Sequence, residues 1–312
     1  MSSASLPEYL SLAAIDAHVA RALAEDLGDG DKTSLWTINP ATRGSARLIA
    51  KETGILAGTV VADRVFYVLD NAVQIHWETF DGENVEPGQL LATLSGPLRS
   101  MLSGERVMLN YVQRMSGIAS HTNEFVTALR DTSTQVLDTR KTAPGLRHLD
   151  KWSVLIGGGV NHRLDLSDEV MIKENHIAAA GDLRKAIESV DRNNKSSVKK
   201  RVVVEITSLE QIEVALDTNH VDRLLLDNMV TVLPDDAVDV SMLISAVNKI
   251  GGRVATEASG KVSLGTVRQI AESGVNYISV GALTHSVRAL DISLIVQTTD
   301  VTPGTAPSVH IP

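Results

Sequence analysis

The stretch Val202–Asn228 reads VVVEITSLEQIEVALDTNHVDRLLLDN and contains the pattern of a strand, a helix and a second strand. Two short apolar runs, Val202–Val204 and Leu224–Leu226, stand near its ends, and apolar residues recur at helical spacing over Leu209–Leu216. Strands joined through a helix form a βαβ unit, in which both strands lie parallel in one sheet. This stretch therefore predicts an α/β fold with a parallel sheet.

The same alternation of strand and helix continues on both sides of this stretch. Four further apolar runs bring the predicted strands to six, whereas a complete α/β barrel has eight. The sequence therefore predicts an incomplete or open α/β barrel, with a doubly wound sheet as the alternative. The additional strands are predicted at residues 136–137, 170–172, 253–255 and 277–280, and the additional helices at 182–190, 240–250 and 264–273.

The residues before position 118 show a different pattern. A helix is predicted over Asp16–Leu27, and the short strands and turn residues that follow it are typical of a compact α+β domain. We expect a smaller N-terminal α/β sandwich domain at residues 1–117, to which residues 288–312 could contribute. An open α/β barrel catalytic domain is expected at residues 118–287.

Two segments outside these patterns also carry expectations. A helix that starts near Ser103 is predicted to end at Gly117, with a second helix from about Ser120 to Leu129. The terminal residues 302–312 are rich in Pro, Thr and Ser and are expected to be disordered.

Composition excludes several classes of function. The 312 residues carry a formal charge of −9 and only 3% aromatic residues, which argues against a nucleic-acid partner. The absence of cysteine excludes disulfides, thiolate metal sites and a cysteine nucleophile, and it fits a reducing compartment. Neither a signal peptide nor a membrane-spanning stretch is visible in the sequence. We therefore expect a soluble, cytoplasmic protein that binds neither nucleic acid nor membrane.

Charged residues stand at the ends of nearly all the predicted strands. In parallel α/β folds the ligand binds at the carboxyl ends of the strands, so these positions predict a ligand site. A lone loop charge would be unremarkable, but a series of them at successive strand ends favours a site. The strand-end residues are Asp138, Arg140 and Lys141, then Lys173, Glu174, Asn175 and His176, then Glu205, Asp227, Asn228, Glu257 and Gly281.

The strand-end charges also separate by sign along the chain. Carboxylates at Glu205, Asp227 and Glu257 suit hydroxyl groups or a hydrated Mg²⁺. A basic group earlier in the chain predicts a pocket for a polyanion, unless these bases are simply scattered over the surface. A phosphorylated sugar needs both kinds of partner. The basic group comprises Arg140, Lys141, Arg147, His162, Arg163 and Lys173.

Two glycine-containing motifs are candidate phosphate sites. The run Gly157–Gly159 could form a phosphate-binding nest, but a flexible turn fits it equally well because P-loop spacing is absent. Ser259–Lys261 is the stronger candidate, since it stands just before a predicted helix whose first N–H groups would point at an anion.

Several of these motifs occur together in one known family. The segments DTRKTAPGLR at 138–147, GGGVNHR at 157–163 and MIKENH at 171–176 closely resemble quinolinate phosphoribosyltransferase, also called nicotinate-nucleotide pyrophosphorylase (carboxylating). The resemblance extends over almost the whole chain. Its remaining parts are EDLGDGD at 25–31, GER at 104–106, Asn110, EASG at 257–260 and SVGA at 279–282.

The resemblance implies a fold and a reaction. It implies an N-terminal sandwich domain beside an incomplete α/β barrel, assembled as a homodimer in which one subunit's N-terminal domain closes over the other's barrel. The implied reaction joins quinolinate to 5-phosphoribosyl-1-pyrophosphate with Mg²⁺, and gives nicotinate mononucleotide, pyrophosphate and CO₂ in NAD biosynthesis.

The resemblance also implies site residues. The carboxylates of quinolinate would be held by Arg106, Arg140, His162, Arg163 and Lys173, with Arg106 reaching the neighbouring subunit's site. Lys141, Glu205 and Asp227 would act as catalytic residues on the phosphoribosyl pyrophosphate, the two carboxylates facing ribose hydroxyls and hydrated Mg²⁺. Backbone N–H groups of Ser259, Gly260, Val280 and Gly281 would hold the 5-phosphate, and Thr139 belongs to the substrate-binding set. Lys261 replaces the more usual Gly or Asn and would either add a phosphate contact or point outward.

Three other functions stay open from the sequence. Lys141 or Lys173 could form a Schiff base in an aldolase-like lyase, although the surrounding arginines suit anions better. The segment 81–92 resembles a turn of biotinyl or lipoyl carrier domains but lacks a lysine to modify. An enzyme of the same fold could also use another nitrogen base.

Overall fold

The computed structural model describes residues 5–195, 198–218, 220–233 and 238–297. The chain divides into two compact units, one formed by the chain up to Gly117 with the segment from Arg288 onward, the other by Ile118–Val287. Residues 302–312, which were expected to be disordered, lie outside the described residues. None of the helices in the described ranges combines the length and the apolar character that crossing a bilayer requires.

The first unit contains an antiparallel sheet of four strands in the order β14 (Ile292–Gln297), β1 (Arg43–Ala50), β5 (Leu90–Pro97) and β3 (Gln74–Trp77). Its last strand comes from the end of the described chain and pairs along β1, so this unit is completed by a segment distant in sequence. Short strands β2 and β4 form a separate antiparallel pair. The elements are α1 Leu12–Leu27, α2 Lys32–Thr37, β1 Arg43–Ala50, β2 Gly54–Ile55, α3 Thr59–Leu69, β3 Gln74–Trp77, β4 Asn84–Val85, β5 Leu90–Pro97 and β14 Ile292–Gln297.

One long helix, α4, runs over Leu98–Ala128 from the first unit into the second. The predicted break at Gly117 is therefore wrong. A Cβ atom added at Gly117 would overlap the carbonyl oxygen of Arg288. This glycine permits close approach of another backbone segment, a contact that local sequence does not reveal.

The second unit is built on six parallel strands in the order β6 (Gln135–Leu137), β13 (Tyr277–Ser279), β12 (Ala255–Ser259), β9 (Arg223–Asp227), β8 (Val202–Ile206) and β7 (Val170–Ile172). Among the described residues β6 and β7 stand at opposite edges and do not pair, which confirms the predicted incomplete α/β barrel. Its elements are β6 Gln135–Leu137, α5 Arg147–Ile156, β7 Val170–Ile172, α6 Glu174–Ala180, α7 Leu183–Asn193, β8 Val202–Ile206, α8 Leu209–Leu216, β9 Arg223–Asp227, β10 Thr231–Val232, β11 Val238–Asp239, α9 Ser241–Ile250, β12 Ala255–Ser259, α10 Leu264–Ala271, β13 Tyr277–Ser279 and α11 Ala282–His285.

The two faces of this sheet differ in chemistry because side chains alternate along a strand. Val204, Leu224 and Leu226 belong to a buried apolar cluster that includes residues of the surrounding helices. Glu205 and Asp227 occupy the alternate positions of β8 and β9 and so face the other side. The alternation of side chains along each strand thus gives the sheet one face that packs against helices and one polar face.

The predicted strand ends hold to within two residues for five of the six strands, and β12 is the exception. It begins at Ala255 and ends at Ser259, two or more residues later than the apolar run suggested. Glu257 therefore lies in the middle of the strand and is fully buried. The expectation that it stands at the rim of the site is wrong, because a polar residue inside the barrel interrupts the apolar run.

Candidate active site

The carboxyl ends of the six strands, here called the carboxyl edge, bring most of the predicted site residues onto one edge of the sheet. The strand order decides which of them are neighbours. In that order they are Thr139, Arg140 and Lys141 after β6, Val280 and Gly281 after β13, Ser259, Gly260 and Lys261 at β12, Asp227 on β9, Glu205 on β8 and Lys173 after β7. Arg106 belongs to the first unit, where it is exposed on α4.

A fully buried ion pair fixes the segment that carries His162 and Arg163. The Asp138 carboxylate accepts from Lys151 Nζ, from Asn161 Nδ2 at 2.6 Å and from the His162 N–H at 2.8 Å. Lys151 Nζ also donates to the His162 carbonyl at 3.0 Å. Burial raises the pKa of Asp138 and lowers the pKa of Lys151, and each partner's charge opposes that shift. The pair thereby ties residues 161–163 to the end of β6.

Arg140 and Arg163 place two positive charges close together. Burial lowers the pKa of Arg163, and the charge of Arg140 lowers it further, although a guanidinium stays protonated. Arg163 donates one N–H to the Glu169 carbonyl at 3.0 Å, whereas Arg140 Nε is buried without a hydrogen-bond partner in the described part of the chain. Two adjacent guanidinium groups with a free donor suit a doubly charged carboxylate ligand.

Lys141 is held against Gly281. Its N–H donates to Thr139 Oγ1 at 3.1 Å, and its carbonyl accepts from Thr284 Oγ1 at 2.9 Å. A Cβ atom added at Gly281 would lie 3.2 Å from Lys141 Cδ and 3.1 Å from His285 Nε2. His285 is thus a basic neighbour that the sequence analysis missed. Its position one helical turn after Gly281 was the available signal.

The backbone after β12 has an unusual conformation. Gly260 has φ +94°, and a Cβ atom there would overlap Asn228 Oδ1, so only glycine fits. Lys261 also lies in the left-handed region, with φ +55°, and its side chain is exposed. Helix α10 begins at Leu264, the predicted first residue, so the Ser259–Lys261 turn stands just before a helix as expected.

Val280 does not have the free N–H group that its predicted role requires. The Val280 N–H donates to the Leu137 carbonyl at 2.9 Å, which continues the pairing of β13 with β6. The expectation that this N–H binds a phosphate is therefore corrected. The side chain of Val280 is buried in the apolar cluster between sheet and helices.

Two carboxylates stand on neighbouring strands of the carboxyl edge. Glu205 Oε2 accepts from Lys173 Nζ at 2.9 Å, and Asp227 Oδ2 accepts from Asn228 Nδ2 at 2.6 Å. In the parallel register Asp227 pairs with Ser259, so the carboxylate adjoins the Gly260 turn. Among the described residues no group of three or more His, Asp or Glu side chains could enclose a metal ion.

His162 faces the inside of the barrel. Its Nδ1 accepts from the Arg163 N–H at 2.6 Å and lies 3.4 Å from Glu169 Oε2, while Nε2 lies 3.4 Å from Glu257 Oε2. The side chain is 6% exposed. Both ring nitrogens are therefore directed at protein groups, so the predicted direct contact with quinolinate has no support from this geometry.

Other residues from the sequence motifs have structural roles. Gly157 and Gly159 pack against α4, where added Cβ atoms would overlap Ala119 and Thr122. The three N–H groups of the run donate to carbonyls of α5, so they do not form a phosphate nest. Arg147 donates to Thr142 Oγ1 at 3.3 Å and to the Leu164 carbonyl at 3.4 Å. It therefore supports the chain segments that carry the basic site residues.

The open parallel barrel and the charges on its carboxyl edge define an α/β enzyme of anionic substrates. Family models described as the N-terminal and C-terminal domains of quinolinate phosphoribosyl transferase match residues 31–116 and 118–295. The chain therefore belongs to the quinolinate phosphoribosyltransferase family, decarboxylating pentosyltransferases of NAD biosynthesis.

Individual relatives agree with this assignment. Quinolinate phosphoribosyltransferase (decarboxylating) 1 of Nicotiana glauca is 47% identical over 284 residues, covering 89% of this chain and 81% of the relative. The chloroplastic nicotinate-nucleotide pyrophosphorylase (carboxylating) of Arabidopsis thaliana is 47% identical over 91% of this chain and 83% of its own length. The crystal structure of NadC from Streptococcus pyogenes aligns with a TM-score of 0.86 at 37% identity, covering 93% of this chain and 99% of that one.

Proposed function

We propose that the carboxyl edge transfers the phosphoribosyl group of 5-phosphoribosyl-1-pyrophosphate to the ring nitrogen of quinolinate, with loss of one carboxylate as CO₂. The observation that carries this proposal is the Arg140–Arg163 pair, with its unpartnered buried Nε. A dicarboxylate would neutralise both charges and occupy that donor. Nicotinate mononucleotide, pyrophosphate and CO₂ are the products.

The phosphoribosyl pyrophosphate is proposed to bind along the middle of the carboxyl edge. Lys141, which lies beside His285 and Gly281, supplies positive charge for the phosphates. The Ser259–Gly260 backbone receives the 5-phosphate, because a side chain at Gly260 would block close approach. Glu205 and Asp227 face the ribose, where their negative charges favour positive charge that builds on its C1 atom. Lys261 is exposed at the same turn and can reach a phosphate there.

Mg²⁺ is the proposed cofactor, and the donor set fits it. Mg²⁺ usually keeps several waters and binds through one or two carboxylates plus substrate phosphates, rather than in a cage of protein ligands. Glu205 and Asp227 on neighbouring strands supply such carboxylates, and the described residues hold no larger cluster. When bound, Mg²⁺ would neutralise charge on the pyrophosphate. Chelation of the metal is expected to abolish turnover, and added Mg²⁺ to restore it.

The mechanism that follows is electrostatic and positional, without a covalent enzyme intermediate. The pyridine nitrogen bonds to C1 of the ribose as the bond from C1 to the pyrophosphate oxygen breaks. Lys141 stabilises the departing phosphates, and Glu205 and Asp227 stabilise the ribose. The pyridinium then takes the electron pair of the breaking carbon–carboxylate bond, CO₂ leaves, and a proton from solvent bonds to that ring carbon.

We also propose a homodimer, in which the exposed Arg106 of one subunit completes the quinolinate site of the other. Its exposure leaves the guanidinium available to a second copy. The cysteine-free composition supports a reducing compartment, and we propose the cytoplasm.

A panel of bases tests the proposed substrate. Purified protein with phosphoribosyl pyrophosphate and Mg²⁺ is offered quinolinate, nicotinate and nicotinamide, and mononucleotides are measured by chromatography. Quinolinate alone is expected to give rapid turnover, because it alone carries two carboxylates. Faster turnover with nicotinate would instead favour an enzyme that transfers the phosphoribosyl group to a base other than quinolinate.

A further inference from the structure

Four ionisable side chains form a buried network inside the barrel, beneath the carboxyl edge. Arg223 donates to both carboxylate oxygens of Glu169, at 3.1 and 2.9 Å, and its Nε lies 3.1 Å from Glu257 Oε2. His162 lies between the same two carboxylates, 3.4 Å from each. The network therefore joins β9 and β12 to the segment that carries Arg163.

Glu257 is too deep to touch a substrate. It precedes Ser259 by two positions on β12, so it faces the same side as Ser259 but lies one layer, about 7 Å, further into the barrel. Its side chain is fully buried, and Tyr277 and Leu225 stand beside it in register. Any effect of Glu257 on the reaction must pass through a neighbouring side chain.

The network fixes the orientation of His162. The Arg163 N–H points at Nδ1, which must accept, so the ring proton is on Nε2 and faces Glu257. Burial by itself raises the pKa of Glu257, but His162 and Arg223 outweigh that effect and lower the pKa overall, so the carboxylate is charged. The backbone donor at Nδ1 sets the tautomer, and the Glu257 carboxylate, which lies 3.4 Å from Nε2 without a hydrogen bond to it, favours this ring direction through its charge.

The same contacts position Arg163. Its N–H is bonded to the His162 ring, and its guanidinium donates to the backbone carbonyl of Glu169, whose carboxylate belongs to the network. A shift of the His162 ring would therefore move the backbone of Arg163 relative to Arg140.

We propose that Glu257, together with Arg223, is a positioning residue for quinolinate recognition, which acts through His162 to hold Arg163 beside Arg140. His162 accordingly serves as the connection between the network and the arginine pair. This inference rests on the proposed role of Arg140 and Arg163 in binding quinolinate.

The test compares Glu257→Gln and Glu257→Asp with the wild type. Glu257→Gln keeps the shape and removes the charge, and KM for quinolinate is expected to rise about tenfold, the effect of one lost charged interaction. KM for phosphoribosyl pyrophosphate is expected to change less than about twofold, since Glu257 lies one layer below Ser259 and its ion-pair partners, His162 and Arg223, are not among the residues proposed to bind that substrate. Glu257→Asp retains the charge and should recover part of the loss. Equal changes in both KM values, or none, would overturn the proposal.

The His162 tautomer provides a second measurement that needs no variant. Imidazole ¹⁵N chemical shifts of the wild type, with the His162 ring assigned through its couplings to the assigned backbone, are expected to show Nδ1 as the hydrogen-bond acceptor and the ring proton on Nε2. A proton on Nδ1 would contradict the network. If the wild type does not convert quinolinate while the tautomer is as expected, the proposed function fails and the network remains.

Discussion

Arg140 and Arg163 bring two positive charges together. Like charges at this range repel each other, and a dianionic ligand would offset that repulsion. Asp138 and Lys151 keep the pair in place, because they tie residues 161–163 to the end of β6. At the scale of single residues, recognition of the base depends on these two guanidinium groups.

The first prediction concerns Arg140→Ala. Loss of charge-assisted hydrogen bonds to a carboxylate is expected to reduce kcat/KM for quinolinate by roughly a hundredfold, or about 3 kcal/mol, with little change in KM for phosphoribosyl pyrophosphate. Steady-state kinetics with each substrate varied measures both effects. The matched control is Arg253→Ala, whose guanidinium donates to carbonyls at the end of α9 and forms an exposed ion pair with Glu213, away from the carboxyl edge. Equal losses in the two variants would argue against a substrate contact for Arg140.

The second prediction compares two glycines of similar backbone conformation. Gly260 has φ +94° and no space for a Cβ atom, whereas Gly252 has φ +73° and open space. Gly252→Ala is expected to cost only about 1 kcal/mol of backbone strain. Gly260→Ala should in addition displace Asn228 and abolish turnover. Thermal unfolding and activity assays check this, and an active Gly260→Ala variant would contradict the close fit of that turn.

At the scale of elements, the strand order of the parallel sheet determines the order of the charged residues along the carboxyl edge. The strand sequence β6-β13-β12-β9-β8-β7 puts Lys141, the Gly281 and Gly260 turns, Asp227, Glu205 and Lys173 in a row. Glycine-containing turns therefore lie between the basic end and the carboxylates. This arrangement follows from crossover connections that leave every strand end on one side.

The third prediction tests the buried Asp138–Lys151 pair. Removing one partner leaves an uncompensated charge, so Lys151→Met is expected to destabilise the fold by about 3–5 kcal/mol. The double variant Asp138→Asn with Lys151→Met should recover part of that loss. Urea unfolding of the two variants and the wild type gives the values. Equal stability of Lys151→Met and the wild type would show that this pair does not anchor the segment.

Much of the fold was predictable from the sequence, because apolar runs of strand length and helical periods are local signals. Six strands, the open barrel and most of the charged strand ends follow from them. Gly117, Glu257 and His285 were not predictable in the same way. Their roles depend on close approach of Arg288, on a charge buried inside the barrel and on the meeting of His285 and Lys141 around Gly281. Each of these contacts joins residues distant in sequence, and periodicity does not encode them.

At the scale of the whole molecule, the formal charge of −9 conceals a basic cluster. The arginine and lysine side chains at the carboxyl edge give it a positive charge, opposite in sign to the net charge of the protein. They create a local field that attracts anionic substrates. The first unit adds Arg106, which is exposed on α4 and is proposed to serve a second copy.

The fourth prediction tests sharing of sites between subunits. Arg106→Ala and Lys141→Ala proteins are each expected to be inactive. After subunit exchange of an equal mixture, half of the dimers are mixed and each contains one intact site, so about a quarter of wild-type activity should return. Activity and analytical ultracentrifugation follow the exchange. An inactive mixture of confirmed mixed dimers would mean that Arg106 does not act across subunits.

The product balance of the reaction tests the central claim most directly. Wild-type protein is incubated with Mg²⁺, phosphoribosyl pyrophosphate and quinolinate labelled in the carboxylate next to the ring nitrogen. We predict that nicotinate mononucleotide, pyrophosphate and labelled CO₂ appear in equal amounts. Absence of all three from folded protein, or a mononucleotide formed without release of CO₂, would contradict the account.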